Sequence, residues 1–150
     1  MMEFYEAAAR PEGLIRALCR VWERSVRATH TFLDEAEIRR LAAYVPGALR
    51  EVPLLVVARD SQGEVAGFMG IDAPRLEMLF LEPGQRGKGY GRQLVQAAAS
   101  RYGVTEVCVN EQNPQARGFY ERMGFRVYHR SACDGQGAPY PLLYLRLPKP

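Results

Sequence analysis

The chain has 150 residues, 47% of them hydrophobic and 25% charged, and its formal net charge is +3. That is the profile of a soluble globular domain with material for one core and little for two. No apolar run approaches the roughly 20 residues of a membrane span, so no membrane partner is expected. Arg86, Lys88 and Arg92, all in one glycine-rich loop, equal the positive surplus, so no nucleic-acid partner is expected either. The first residues lack the basic and apolar regions of a signal peptide. Cys19, Cys108 and Cys133 are odd in number and widely spaced, which fits reduced thiols in a cytoplasmic protein better than disulfides or metal ligands.

In chain order, residues 2–8 can form a first, edge strand. Pro11 and Glu12 open a helix with Leu14, Leu18, Val21, Trp22 and Val26 on one face. Residues 28–33 interrupt it. Asp34 and Glu35 start a second helix with Ile38, Leu41, Ala42 and Val45 inward, and Pro46-Gly47 stands near its end. Residues 53–59 form a continuous β-branched and leucine run, residues 60–63 turn the chain, and residues 64–71 return as the second arm of a hairpin. Residues 75–81 make the third consecutive strand. A helical pattern follows through Tyr90, Leu94, Ala97, Ala98 and Tyr102, then a strand at 104–109 and a helix from Pro114. Residues 125–130 and 140–147 can form a last hairpin. The pattern is an α/β mixed sheet in the order β-α-α-β-β-β-α-β-α-β-β, in one domain spanning residues 1–150.

Between the third strand and its helix lies Gln85-Arg86-Gly87-Lys88-Gly89-Tyr90-Gly91-Arg92. Glycines at every second position let the backbone curl and remove side chains that would hold an anion away. The helix behind them offers unpaired N–H groups and a positive dipole end. This is a phosphate cradle. A Walker loop would need Lys-Ser or Lys-Thr after its last glycine, and a dinucleotide fingerprint would read G-x-G-x-x-G early in a βαβ unit. Neither is present. Downstream, Asn113 can cap a helix that begins at Pro114; Ala116, Phe119, Tyr120 and Met123 form its apolar stripe, and Gly124 ends it.

The R-x-x-G-x-G run at Arg86, Gly89 and Gly91 resembles the pyrophosphate loop of the GCN5-related N-acetyltransferases (GNAT). Asn113, Ala116, Phe119, Tyr120, Gly124 and Phe125 resemble that family's N-x-x-A-x-x-F-Y-x-x-x-G-F signature. The resemblance is strongest over residues 76–125, and residues 28–33 and 139–143 are similar to a bacterial subgroup of the family. It implies a sheet that splays open in the middle, acetyl-CoA (coenzyme A) as donor, and transfer of the acetyl group to a primary amine of a small molecule or peptide.

By the same resemblance, the backbone of Leu79, Phe80 and Leu81 would pair with the pantetheine arm and polarise the thioester carbonyl. Residues Arg86, Gly87, Lys88, Gly89, Tyr90, Gly91 and Arg92 would hold the pyrophosphate. Asn113 matches a cofactor-contacting position, although a cap role alone would also explain it. Tyr120 matches the general acid. A phenol has a reference pKa of about 10 against about 8.5 for a thiol, so donation to a thiolate is uphill by about 1.5 units unless the site lowers the phenol.

His30, in the break between two helices, and Glu77, on the strand leading to the loop, are the candidate bases; each also reads as a plain surface group. Glu111 and His129 are further titratable groups, and water alone can serve. Residues 131–140 and 29–33 are expected to flank the acceptor, with Phe32, Tyr140 and Tyr144 lining a slot or simply packing. No metal site is expected, and the protein is expected to be a monomer or homodimer. A non-catalytic acyl-CoA binder and a nucleotide-phosphate enzyme are the competing classes. The tyrosine at 120 argues against the first, and the absent Lys-Ser/Thr against the second.

Overall fold

The computed structural model describes residues 3–149. Its elements are β1 (Glu3–Glu6), α1 (Glu12–Thr29), α2 (Glu35–Ala42), α3 (Val45–Glu51), β2 (Leu54–Arg59), β3 (Val65–Asp72), β4 (Arg75–Leu81), α4 (Tyr90–Arg101), β5 (Glu106–Asn110), α5 (Pro114–Arg122), β6 (Arg126–Ser131) and β7 (Leu142–Arg146). The expected order holds with one correction. The second helix does not run through Val45 to Pro46; it stops at Ala42, and α3 begins at Val45 with Pro46 in its first turn. Proline has no N–H to give a preceding turn and clashes with the carbonyl four residues back, so it opens a helix rather than continuing one. Of the first predicted strand, residues 3–6 are seen, and Met2 lies outside the described residues.

The strands form one sheet in the order β1-β2-β3-β4-β5-β7-β6. Alternation along the strands builds a core on each face. Leu55 and Val57 of β2 point to α1, α2 and α3, where they meet Leu18, Trp22 and Leu49. Val56 and Ala58 point the other way, to Leu94, Val95 and Ala98 of α4 and to Tyr120 of α5. Burial on both faces explains why residues 54–58 read as an unbroken apolar run rather than an alternating one.

The sheet is interrupted where β4 meets β5. These strands are parallel and pair only through Arg75 with Glu106 and Leu76 with Val107. Beyond that point β4 keeps its antiparallel partner β3 as far as Leu81, while β5 turns to β7. The sheet therefore parts along the last five residues of β4. The Glu82 amide donates to the Ala66 carbonyl, on the β3 side. Strand alternation then turns the N–H and C=O groups of Leu81 and Leu79 towards the gap.

Candidate active site

The gap opens into a cleft of about 700 Å³. Its walls come from β4, the glycine loop, the end of α1 and the start of α5. Of the residues expected from sequence, it is lined by His30, Leu79, Phe80, Leu81, Asn113 and Tyr120 together with Arg86, Gly87, Gly89, Tyr90, Gly91 and Arg92. Lys88 and Glu77 are exposed and stand outside this lining.

The loop has the chemistry of an anion cradle. Gly87 and Gly89 adopt φ of +76° and +89°, the left-handed region that glycine enters without steric cost. Gly89 is the N-cap of α4, and the first helical bond runs from the Gln93 amide to the Gly89 carbonyl. Among the described residues, no backbone N–H from 87 to 92 has a hydrogen-bond partner. Six consecutive free donors at a helix N-terminus suit a diphosphate. Gly91 has a different reason for its identity. It lies inside α4, where a Cβ would stand 3.3 Å from Leu81 Cδ1 and 3.5 Å from Phe119.

Arg86 does not reach outward with the other loop cations. Its guanidinium turns to α1 and donates to Ser25 Oγ at 3.3 Å, half-buried, and burial pushes its pKa down. At the same helix end, Thr29 Oγ1 lies 2.8 Å from the Ser25 carbonyl and 2.8 Å from His30 Nδ1. Burial, and secondarily the Arg86 charge, lower the His30 pKa, so the imidazole is neutral at neutral pH. Ser25 also lines the cleft, a position that the sequence signals only weakly. Its signal is a hydroxyl on the apolar stripe of α1, one residue before Val26, at 2% exposure.

Tyr120 is fixed by the way α5 ends. The Phe125 amide donates to the Tyr120 carbonyl and the Gly124 amide to that of Glu121, with Gly124 at φ +100°. This is a Schellman closure, and the contact that accompanies it is the Phe125 ring, 5.7 Å from the Tyr120 ring. Phe119 packs edge-on from the other side at 5.1 Å. Tyr120 is 7% exposed, its hydroxyl has no hydrogen-bond partner among the described residues, and desolvation raises its pKa well above the usual phenol range. The phenol is therefore a weaker acid than the reference value, not a stronger one. Asn113 does cap α5, its side-chain oxygen accepting from the Ala116 amide at 3.2 Å, and it also lines the cleft.

Of the aromatics expected beside the acceptor, Phe32 and Tyr140 meet, with ring centres 6.0 Å apart, and Phe32 stacks on His30 at 5.5 Å. The Tyr140 hydroxyl donates to Glu37 of α2, which ties residues 131–140 to the helical face. Tyr144 goes elsewhere. It packs on His129 and Tyr128 of the neighbouring strand, with Arg75 over its ring. Glu111 is ion-paired with Arg130, which lowers its carboxyl. Burial raises the carboxyl of Glu77.

A sheet parted between two parallel strands, with a glycine loop of free amides at its mouth, has donors suited to a diphosphate and an unpaired strand edge suited to an extended chain. The sequence profile of the acetyltransferase (GNAT) domain matches residues 52–127. The chain belongs to the GNAT family and is an acetyl-CoA-dependent N-acetyltransferase. It is 45% identical over 131 residues to the peptidyl-lysine N-acetyltransferase YjaB of Salmonella typhimurium, covering 87% of this chain and 90% of that protein. It is 36% identical over 117 residues to the 5-NmdU N-acetyltransferase of Pseudomonas phage PaMx11, covering 73% and 78%. Its fold matches the solution structure of apo YjaB from Escherichia coli with a TM-score of 0.85 at 37% identity, covering 97% of each chain. It also matches the Thermoplasma acidophilum PaiA N-acetyltransferase in complex with coenzyme A, with a TM-score of 0.70 at 20% identity, covering 97% and 99%.

Proposed function

We propose that this enzyme acetylates the side-chain amine of peptidyl lysine, with His30 as proton acceptor and Tyr120 as proton donor. The observation that carries the reading is that one cleft is lined by the outward edge of β4, the free-amide loop, a neutral imidazole and a buried phenol. The acceptor class rests on the 45% identity to a peptidyl-lysine N-acetyltransferase over most of both chains. Residues 87–92 would hold the pyrophosphate through their amides, and the N–H and C=O groups of Leu79 and Leu81 would hold the pantetheine arm as an added strand. Bound acetyl-CoA supplies the acetyl group as a thioester.

A lysine amine is mostly protonated at neutral pH, so it must lose a proton before it can attack. His30, already neutral, takes one up. Glu77 is the other candidate, and its position outside the cleft lining favours His30. The backbone N–H at Leu81 or Leu79 polarises the carbonyl. Tyr120 keeps its proton at Oη and offers it as a hydrogen bond to the departing sulfur. Its raised pKa makes it chiefly a positioned donor, with full transfer further uphill than for an ordinary phenol. Asn113 orients the entrance of α5 while capping it.

A second acceptor, 5-NmdU, is favoured by the relative named for it, which is 36% identical. Incubating the protein with acetyl-CoA and either lysine-containing peptides or 5-NmdU, while following thiol release and product mass, separates the two. Acetyl-lysine with stoichiometric thiol release is expected. Acetylation of 5-NmdU with untouched peptides would overturn the lysine reading.

A further inference from the structure

We propose that Thr29 is a positioning residue that holds His30 as the Nδ1–H tautomer, leaving Nε2 as the nitrogen that takes the proton in the cleft. The inference rests on the base role given to His30 above and adds which nitrogen acts and what fixes it.

Thr29 Oγ1 lies 2.8 Å from the Ser25 carbonyl oxygen, which has no proton to give. That contact uses the one hydrogen of the hydroxyl. The same oxygen lies 2.8 Å from His30 Nδ1, and it can meet that nitrogen only as an acceptor. Nδ1 therefore carries the hydrogen. The reverse assignment, with Thr29 donating to Nδ1, would press two lone-pair-bearing oxygens together at 2.8 Å. A neutral imidazole with Nδ1 protonated has its lone pair on Nε2.

Each part of this chain is held from a second direction. Ser25 is 2% exposed, and its own hydroxyl is engaged by Arg86. The His30 backbone amide closes α1 on the Val26 carbonyl at 2.8 Å, which sets where the ring starts. The ring packs against Phe32 at 5.5 Å. The bond to the Ser25 carbonyl selects one of the two χ1 rotamers open to a helical threonine, so its oxygen stays between the carbonyl and the ring. When the acceptor amine gives up a proton, its N–H bond breaks and an Nε2–H bond forms. The imidazolium then keeps Nδ1–H on Thr29 Oγ1. Its charge lies beside the negative end of the α1 dipole, which offsets the nearby Arg86 guanidinium. The extra proton leaves to water to reset the site.

The test uses the full chain, ¹⁵N-labelled, and long-range ¹H–¹⁵N spectra of its two imidazoles, with His129→Gln assigning the resonances. The wild type is expected to show His30 as the Nδ1–H tautomer. Thr29→Val is expected to lose that preference, and Thr29→Ser to keep it. In parallel, kcat should fall at least about tenfold in Thr29→Val, and by no more than the 10²–10⁴-fold ascribed to a general base itself. KM for acetyl-CoA should hold steady, and Thr29→Ser should recover most of the rate. A wild-type spectrum with His30 protonated on Nε2 overturns the proposal whatever the rates. So does Thr29→Val with wild-type kcat. If instead His30→Gln leaves kcat unchanged, the base reading falls, while the tautomer assignment is decided by the spectrum alone.

Discussion

Tyr120 and His30 sit in one cleft but are tuned in opposite directions, and both shifts favour the neutral form. Burial raises the tyrosine, so the phenol holds its proton far into the alkaline range. Burial and Arg86 lower the histidine, so the imidazole sheds its proton early. Tyr120→Phe keeps the ring that packs on Phe125 and removes only the donor. Its kcat is expected to drop by about a hundredfold, with acetyl-CoA affinity by calorimetry nearly unchanged. The histidine shift also appears in stability. Its folded pKa lies below the unfolded value of 6.5, so the unfolded chain binds more protons as pH falls through 6.5, and stability falls with it. His30→Gln is therefore expected to lose less stability than the wild type between about pH 7 and pH 5. Urea midpoints at those two values measure it, and equal losses in both proteins would contradict the shift.

At the level of elements, the loop and the helix after it were legible because their signals are local. A glycine in the left-handed region, an asparagine cap with proline behind it, and a glycine closing α5 are each decided within five residues of chain. Gly91 shows the limit of that reading. Its reason is a close approach of α4 to Leu81 and Phe119, which no local pattern displays. The same holds for the Arg86–Ser25 contact, visible only once α1 ends against the glycine loop. Tyr144 likewise has its partners set by the insertion of β7 between β5 and β6.

The loop can be probed at a single torsion. An alanine at 89 meets no protein atom within 4 Å, so within the free protein the effect of Gly89→Ala comes from its φ of +89°. The left-handed conformation costs an L-residue roughly 1–2 kcal/mol, which shifts the loop or weakens binding about tenfold. Gly84→Ala, with open space around it and ordinary φ, is the control and should bind acetyl-CoA like the wild type. Calorimetric titration of both variants gives the comparison.

On the scale of the molecule, the two helical layers brace a sheet that is closed at both sides and parted in the middle. α1, α2 and α3 cover one face of β1–β4, and α4 and α5 cover the other. Exposed ion pairs such as Arg24 with Glu82 join α1 to the turn after β4, at the mouth of the cleft, and contribute little to stability individually. A donor that binds only the folded form adds about 2.7 kcal/mol at a hundred times its Kd. For a chain of this length that corresponds to a rise in Tm of roughly 5–10 °C. A thermal melt with and without acetyl-CoA is expected to show it, and ATP at the same concentration is expected not to.

The parted strands also bear on how long each copy of the enzyme lasts. Five residues of β4 present a half-finished hydrogen-bond seam that the donor's own arm would complete, so the catalyst is sturdiest when its fuel is plentiful. Withdrawal of the donor would lower the folded fraction by mass action, which ties the enzyme's stability to the supply of its own substrate.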